Sequence, residues 1–224
     1  MYEGVQRTEL GQLPRGRHRI SREEVVESQR RRLLAGMAKG LAEYGFARLT
    51  VEHVIEIAGV SRKTFYEYFA SREECLLAAY DAASEELWRV GGEGAVGGAD
   101  WPGRVTTAVR AVAEFLAADP DRARLFTLEA RAAGEEMVAR QRADAERAAA
   151  LLRAGRDGRP RAAALPEATE LTLVENVAAV VGANILSGAT AILPRLVPQL
   201  TEYLLAPYLD TDAAAKSHAL ARHS

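Results

Sequence analysis

Arg62, Lys63, Thr64, Tyr66 and Tyr68 fall within the short run RKTFYEY, directly after the turn-forming residues Ala58-Gly59-Val60-Ser61. Their chemistry is the binding of a polyanion rather than bond making. Arginine and lysine donate to guanine O6 and N7, and threonine and tyrosine hydroxyls reach phosphate oxygens. At helical spacing Arg62 and Tyr66 stand four apart, as do Thr64 and Tyr68, while Val60, Phe65 and Phe69 face inward. Arg72 opens the following helix, where its charge and the free backbone N–H groups can act on one phosphate. A polyanion-facing helix is one reading of this face. A solvated polar surface over ordinary core aromatics is the other, and the residue types alone leave both open.

Catalytic chemistry finds little support. His18, His53, His218 and His223 lack metal-ligand spacing. Cys75, the single cysteine, has no evident histidine partner; it is a redox-sensing thiol near a helix N-terminus or a small buried hydrophobe. The glycines of 91–98 precede no GK[ST] sequence. No enzyme, no metal and no cofactor are therefore expected.

The elements that must hold the RKTFYEY face are helical. In 224 residues, 48% hydrophobic and 27% charged, there is material for one large or two modest domains with a true core. Net charge is only −2, so a nucleic acid must be met locally. One cysteine excludes an intrachain disulfide. No signal-peptide core and no apolar run approaching a membrane span is apparent, so a cytoplasmic protein without a membrane partner is expected.

Residues 1–20 read as a flexible basic arm, with Arg15, Arg17 and Arg19 either in a minor groove or simply unstructured. Ser21 and Glu24 form a capping box for a first helix carrying Leu33, Met37 and Leu41 and stopped by Gly45. Thr50 caps a short second helix that ends at Gly59, a third starts near Ser61, and Ser71 caps a fourth reaching Arg89. The glycine cluster 91–98 predicts a loop. Helices are expected near 103–118, 120–133 and 134–155, then a loop over 155–160, then apolar helices near 166–188 and 194–209 before a tail at 211–224. No segment alternates long enough for a strand, and the expected fold class is all-α with about nine helices.

Helix, glycine turn and second helix outline a helix-turn-helix. Thr50 through Phe69, followed by Ala70-Ser71-Arg72-Glu73-Glu74, resembles the DNA-binding domain of the TetR family of transcriptional regulators. The resemblance is specific over about residues 27–87 and architectural beyond. Two positions depart from the family pattern: Ile55 stands where a small alanine is usual, and Arg72 replaces a lysine. The resemblance implies base reading by Arg62 and Lys63 and phosphate contacts from Thr50, Thr64, Tyr66, Tyr68 and Arg72. Glu67 either reads a cytosine amino group or points away. It also implies a helix-turn-helix domain at 21–89 (the motif at about 50–69) and a ligand-binding and dimerisation domain at 90–210.

For that body, Trp88, Trp101, Phe115, Phe126, Met137 and Asn184 are candidate pocket residues, each also readable as plain core. Val174, Val177, Val181 and Ile185, with Leu196, Leu200 and Leu204, are candidates for a homodimer interface or, on pattern alone, a monomer core. The expected protein is a repressor released from a palindromic DNA operator by a small, mostly apolar effector. The alternative is a helical carrier or protein-interaction module without specific DNA binding.

Overall fold

The computed structural model describes residues 22–209, so the basic arm, the Ser21 cap and the tail fall outside the described residues. Within them the chain is helical throughout, and no strand occurs among the described residues. Helix α1 (Arg22–Tyr44) buries Leu33, Met37 and Leu41, one per turn. Helices α2 (Val51–Ala58) and α3 (Arg62–Tyr68) cross beneath it. Gly36 makes the close approach: a Cβ there would lie 3.0 Å from the Val54 carbonyl oxygen and 3.1 Å from the Ala58 Cβ. Gly59, at φ +62°, takes the left-handed conformation that turns α2 into α3. Arg32 of α1 closes that end, donating through Nε to Ala58 O at 2.8 Å and through Nη2 to Gly59 O.

Helix α4 (Arg72–Val96) leaves this head and does not stop at Arg89. The loop expected at 91–98 is instead mostly the last turns of α4, and the boundary expected between residues 89 and 90 falls inside a helix. Packing overrides the poor helix propensity of glycine here. A Cβ on Gly94 would sit 2.7 Å from the Ala111 Cβ and 2.9 Å from the Thr107 carbonyl oxygen, so glycine lets α4 lie directly on α5 (Trp101–Ala118).

The helix expected over 120–133 is broken into the single turn α6 (Pro120–Ala123) and two 3-10 segments, Arg124–Phe126 and Leu128–Ala133. Helix α7 (Glu135–Arg153) follows, then a 3-10 turn (Ala154–Arg156) and the short α8 (Pro160–Ala163). Helices α9 (Thr169–Leu186) and α10 (Leu193–Leu205) complete the body, joined through a 3-10 turn at Thr190–Ile192.

Three buried clusters hold these elements. The first joins head and body, because Leu125, Ala130 and Met137 share a core with Leu33, Val54, Phe65 and Leu76. The second joins α5, α9 and α10 through Ala113, Leu116, Ile185 and Val197. The third gathers Leu152, Leu173, Leu204 and Tyr208 with Trp101 at its edge. Beside it Glu170 is fully buried. Arg156 grips its two oxygens at 2.7 and 2.8 Å, and the Tyr208 hydroxyl donates to it at 2.9 Å. Burial alone would raise the Glu170 carboxyl, but these hydrogen bonds outweigh it and hold the group below the usual carboxylate range.

Candidate nucleic-acid interface

Phe65 fixes α3 by full burial, worth about 1.5–3 kcal/mol, and so determines which residues face outward. Ser61 caps α3, its Oγ accepting the Thr64 N–H at 3.0 Å and sharing a hydrogen bond with Thr64 Oγ1 at 2.9 Å. Thr50 caps α2: its Oγ1 accepts the His53 N–H, and His53 Nδ1 accepts the Thr50 N–H, both at 3.3 Å. The His53 ring stacks on Tyr44 with centroids 4.1 Å apart. Both first turns are thereby rigid without any charged side chain.

On this support Lys63 is 88% exposed and Arg62 58% exposed. Tyr66 stands half-exposed with its ring edge against Phe65, centroids 5.3 Å apart. Arg62 forms an ion pair with Glu52, which brings the first turn of α3 to the first turn of α2, where Thr50 sits. Thr50, Arg62, Lys63, Thr64 and Tyr66 thus remain available at the surface. Glu67 pairs with Lys63 at 3.8 Å along the helix.

Two of the expected phosphate contacts are occupied within the chain. The Tyr68 hydroxyl donates to Val26 O at 2.9 Å and lies 3.1 Å from Gln29 Oε1, tying α3 to α1. Arg72 donates through Nη1 to Phe46 O at 3.0 Å and to Leu49 O, and through Nε to Glu73 at 3.0 Å. Its guanidinium also covers the Phe46 ring at 4.3 Å. Arg72 therefore anchors the loop between α1 and α2, a task for a planar five-donor fork that a lysine cannot perform.

The expected pocket residues do not converge. Met137 is buried in the core shared with the head, Phe126 bridges that core and the second cluster, and Phe115 packs on the second under Arg122. Trp101 stands against Tyr208 in the third, and Asn184 donates to Val180 O of its own helix at 2.8 Å. Trp88 has a different role. Its indole N–H, with the Tyr80 and Ser84 hydroxyls, donates to Asp144 of α7.

The expected interface stripe is also divided. Ile185, Leu200 and Leu204 are buried within the chain itself and offer little surface to a partner. Val174, Val177, Val181 and Leu196 are half-buried, whereas Val180 and Tyr203 are exposed. Helix α9 is long and apolar enough to cross a membrane by length and composition alone, with mean hydropathy 1.2, and 22% of it is buried. Cys75 is fully buried, and that burial pushes its thiol up to about 12, which removes the redox-sensor reading.

Glu52, Asp144 and Glu170 take ion pairs or hydrogen bonds between elements that the sequence does not single out. Tyr80, Ser84 and Trp88 at i, i+4 and i+8 do form a legible stripe of donors on α4, but nothing local points to an acceptor 56 residues beyond Trp88.

Residues 33–79 match the family described as bacterial regulatory proteins, tetR family. No curated protein matches the chain. Among solved structures, the fatty acid degradation regulator FadR from Bacillus halodurans superimposes with a TM-score of 0.68 at 18% identity, over 79% of this chain and 94% of that one. A TetR family transcription regulator from Marinobacter aquaeolei VT8 gives 0.61 at 18% identity, over 80% and 97%. FadR from Bacillus subtilis in complex with stearoyl-CoA gives 0.62 at 16% identity, over 79% and 98%. At such identities the neighbours speak for the fold, and the match over the head speaks for the motif. With a short helix set on a glycine turn and a helical body behind it, the chain carries over residues 33–79 the N-terminal domain of bacterial regulatory proteins of the tetR family, and its overall fold is that of the solved neighbours.

Proposed function

We propose that the protein is a ligand-responsive repressor that binds a palindromic operator as a homodimer and is released by a small, mostly apolar effector. The observation that carries this reading is the pair of exposed cations, Arg62 and Lys63, in the first turn of an α3 locked by Phe65. Thr50, Thr64 and Tyr66 would hold phosphates on either side. Residues 21–89 would form the reading head and 90–210 the sensing body, with α4 common to both.

A dimer is what a helix-turn-helix needs to read two half-sites about 34–36 Å apart. An apolar helix that is mostly uncovered by its own chain favours α9 as the seam, through Val174, Val177, Val180 and Val181 with Leu196 and Tyr203 of α10. The stearoyl-CoA held by the Bacillus subtilis neighbour makes a long-chain acyl thioester the first effector to try. The route for its signal would be α4, tied to the body through Asp144 and starting beside the recognition helix.

The test is a mobility shift with the DNA upstream of the reading frame, repeated with stearoyl-CoA and with other apolar ligands. Specific binding weakened by a ligand is expected. Failure of every upstream duplex to compete better than random DNA would refute the repressor reading.

A further inference from the structure

Glu52 lies in the first turn of α2 and Arg62 is the first residue of α3, so their ion pair spans the turn of the helix-turn-helix. Among the described residues neither side chain has another polar partner. Both are more than half exposed, and an ion pair in that setting contributes little to stability. A carboxylate next to Thr50, at the end of α2 that would approach phosphate, also opposes DNA binding by simple charge. The pair thus weakens attraction to a polyanion with almost no return in stability.

We propose that Glu52 is a specificity-determining residue of the DNA interface, positioning the Arg62 guanidinium for guanine readout; this rests on the DNA-binding function proposed above. A guanidinium carries five donors in a rigid plane. A carboxylate on Nη2 leaves the remaining donors for a base edge and restricts a side chain that must otherwise be ordered when the complex forms. On a duplex lacking guanine at that position, a free arginine turns to the nearest phosphate instead. Glu52 resists this by holding the guanidinium and by repelling the phosphate. The result is discrimination through penalising the wrong partner, at some loss of general affinity. Lys63 and Glu67 do not repeat the device, because their 3.8 Å pair lies along one helix and an ammonium has no planar edge to orient.

The experiment selects duplexes from a random-sequence pool with the full-length parent. It then measures affinity for the selected duplex, for its variants at each position, and for random DNA, using the parent, Glu52→Gln, Arg62→Ala and the double variant. Arg62→Ala should erase a guanine preference at one position per half-site, a loss of about 5- to 150-fold. Glu52→Gln should leave the thermal melt unchanged and bind random DNA more tightly. It should reduce the same guanine preference by about 2- to 10-fold. Added to Arg62→Ala, it should no longer affect that preference. An unchanged guanine preference in Glu52→Gln, or an equal further reduction when it is added to Arg62→Ala, overturns the assignment. A parent that selects no sequence overturns the DNA-binding reading as well, and does so before any variant is compared.

Discussion

Trp88 of α4 donates its indole N–H to Asp144 of α7 across 2.7 Å, and the same carboxylate takes the Tyr80 hydroxyl at 2.6 Å and the Ser84 hydroxyl at 2.7 Å. No cation comes within ion-pair distance of it among the described residues. Three donors on one face of one helix share one acceptor, so a slide or rotation of α4 breaks them together. Asp144→Leu would leave three donors unpaired, two of them on the buried Tyr80 and Ser84, at a cost of about 1–3 kcal/mol for each donor that water cannot reach. Asp144→Asn should be much milder, since its amide can donate to the two hydroxyls while its oxygen accepts from Trp88. In a Trp101→Phe background Trp88 is the sole tryptophan, and its emission should shift to the red in Asp144→Leu alone.

Two tyrosines should resist alkaline titration. Burial and a hydrogen bond to a carboxylate push both Tyr80 (to Asp144) and Tyr208 (to Glu170) above the ordinary value near 10. A raised folded pKa stabilises the protein below the unfolded value, and this contribution is lost as pH climbs past it. Absorbance at 295 nm should show these two ionising only with unfolding. Glu170 has the opposite sign: its folded pKa is lowered, so its contribution is present above about pH 4.5 and disappears as pH falls. Glu170→Gln should flatten the acid limb of the stability curve. An acid limb identical to the parent's would show that the Arg156 pair does not govern it.

Glycines of α4 make a paired test of the helix whose glycine cluster predicts a loop. A Cβ at Gly92 meets nothing within 4 Å, so Gly92→Ala should stabilise by about 0.5–1 kcal/mol through helix propensity. A Cβ at Gly94 meets α5 backbone at 2.9 Å, so Gly94→Ala should destabilise by about 1–3 kcal/mol. Chemical denaturation of both variants decides it. Two neutral substitutions are the signature of a loop.

The glycine cluster also shows where legibility ends. Thr50, Gly59 and Ser61 act through neighbours within four residues, and so the helix-turn-helix is readable from spacing. Gly94 acts through Ala111 and Thr107, and Arg72 through carbonyls at Phe46 and Leu49. A run of glycines looks the same whether it loosens a loop or admits a second helix, and an arginine at a helix start looks the same whether it meets phosphate or backbone. Only the partner distinguishes them, and the partner is remote in sequence. Ile185, Leu200 and Leu204 follow the same rule: an apolar stripe fixes a face but not which neighbour covers it.

The two arginines of the head should separate cleanly. Arg62 is exposed and away from the core, so Arg62→Ala should change stability by less than about 0.5 kcal/mol while costing about 1–3 kcal/mol in operator binding. Arg72→Ala removes the donors for two backbone carbonyls and should lower the melting temperature, with any loss of DNA affinity following from a loosened α1–α2 loop. Arg72→Lys should fail to restore it, because one ammonium cannot meet both carbonyls and the Phe46 ring. Melting curves and mobility shifts on the same samples check both halves. An Arg72→Lys protein as stable as the parent would return that residue to the phosphate-binding role.

The final prediction concerns the seam between two copies. Val181 is an unsuitable probe, since it packs against the cluster of Ile185 and Val197 and a charge there would damage the chain's own core. Val180 is exposed on the same helix, one position along, and lies outside that cluster. If α9 is covered by a second copy, Val180→Arg places two like charges near the twofold axis in a desolvated seam, where an uncompensated charge is strongly unfavourable. If α9 faces water, the same change is harmless, because exposed substitutions shift stability by less than about 0.5 kcal/mol. Sedimentation at micromolar concentration should therefore find the parent dimeric and Val180→Arg monomeric, with the helical circular dichroism signal retained. Because operator binding needs both half-sites, the monomer should also lose affinity for the full palindrome far more than for a single half-site. A parent that sediments as a monomer, or a Val180→Arg protein that stays dimeric, would remove α9 from the interface and leave its apolar surface without a role.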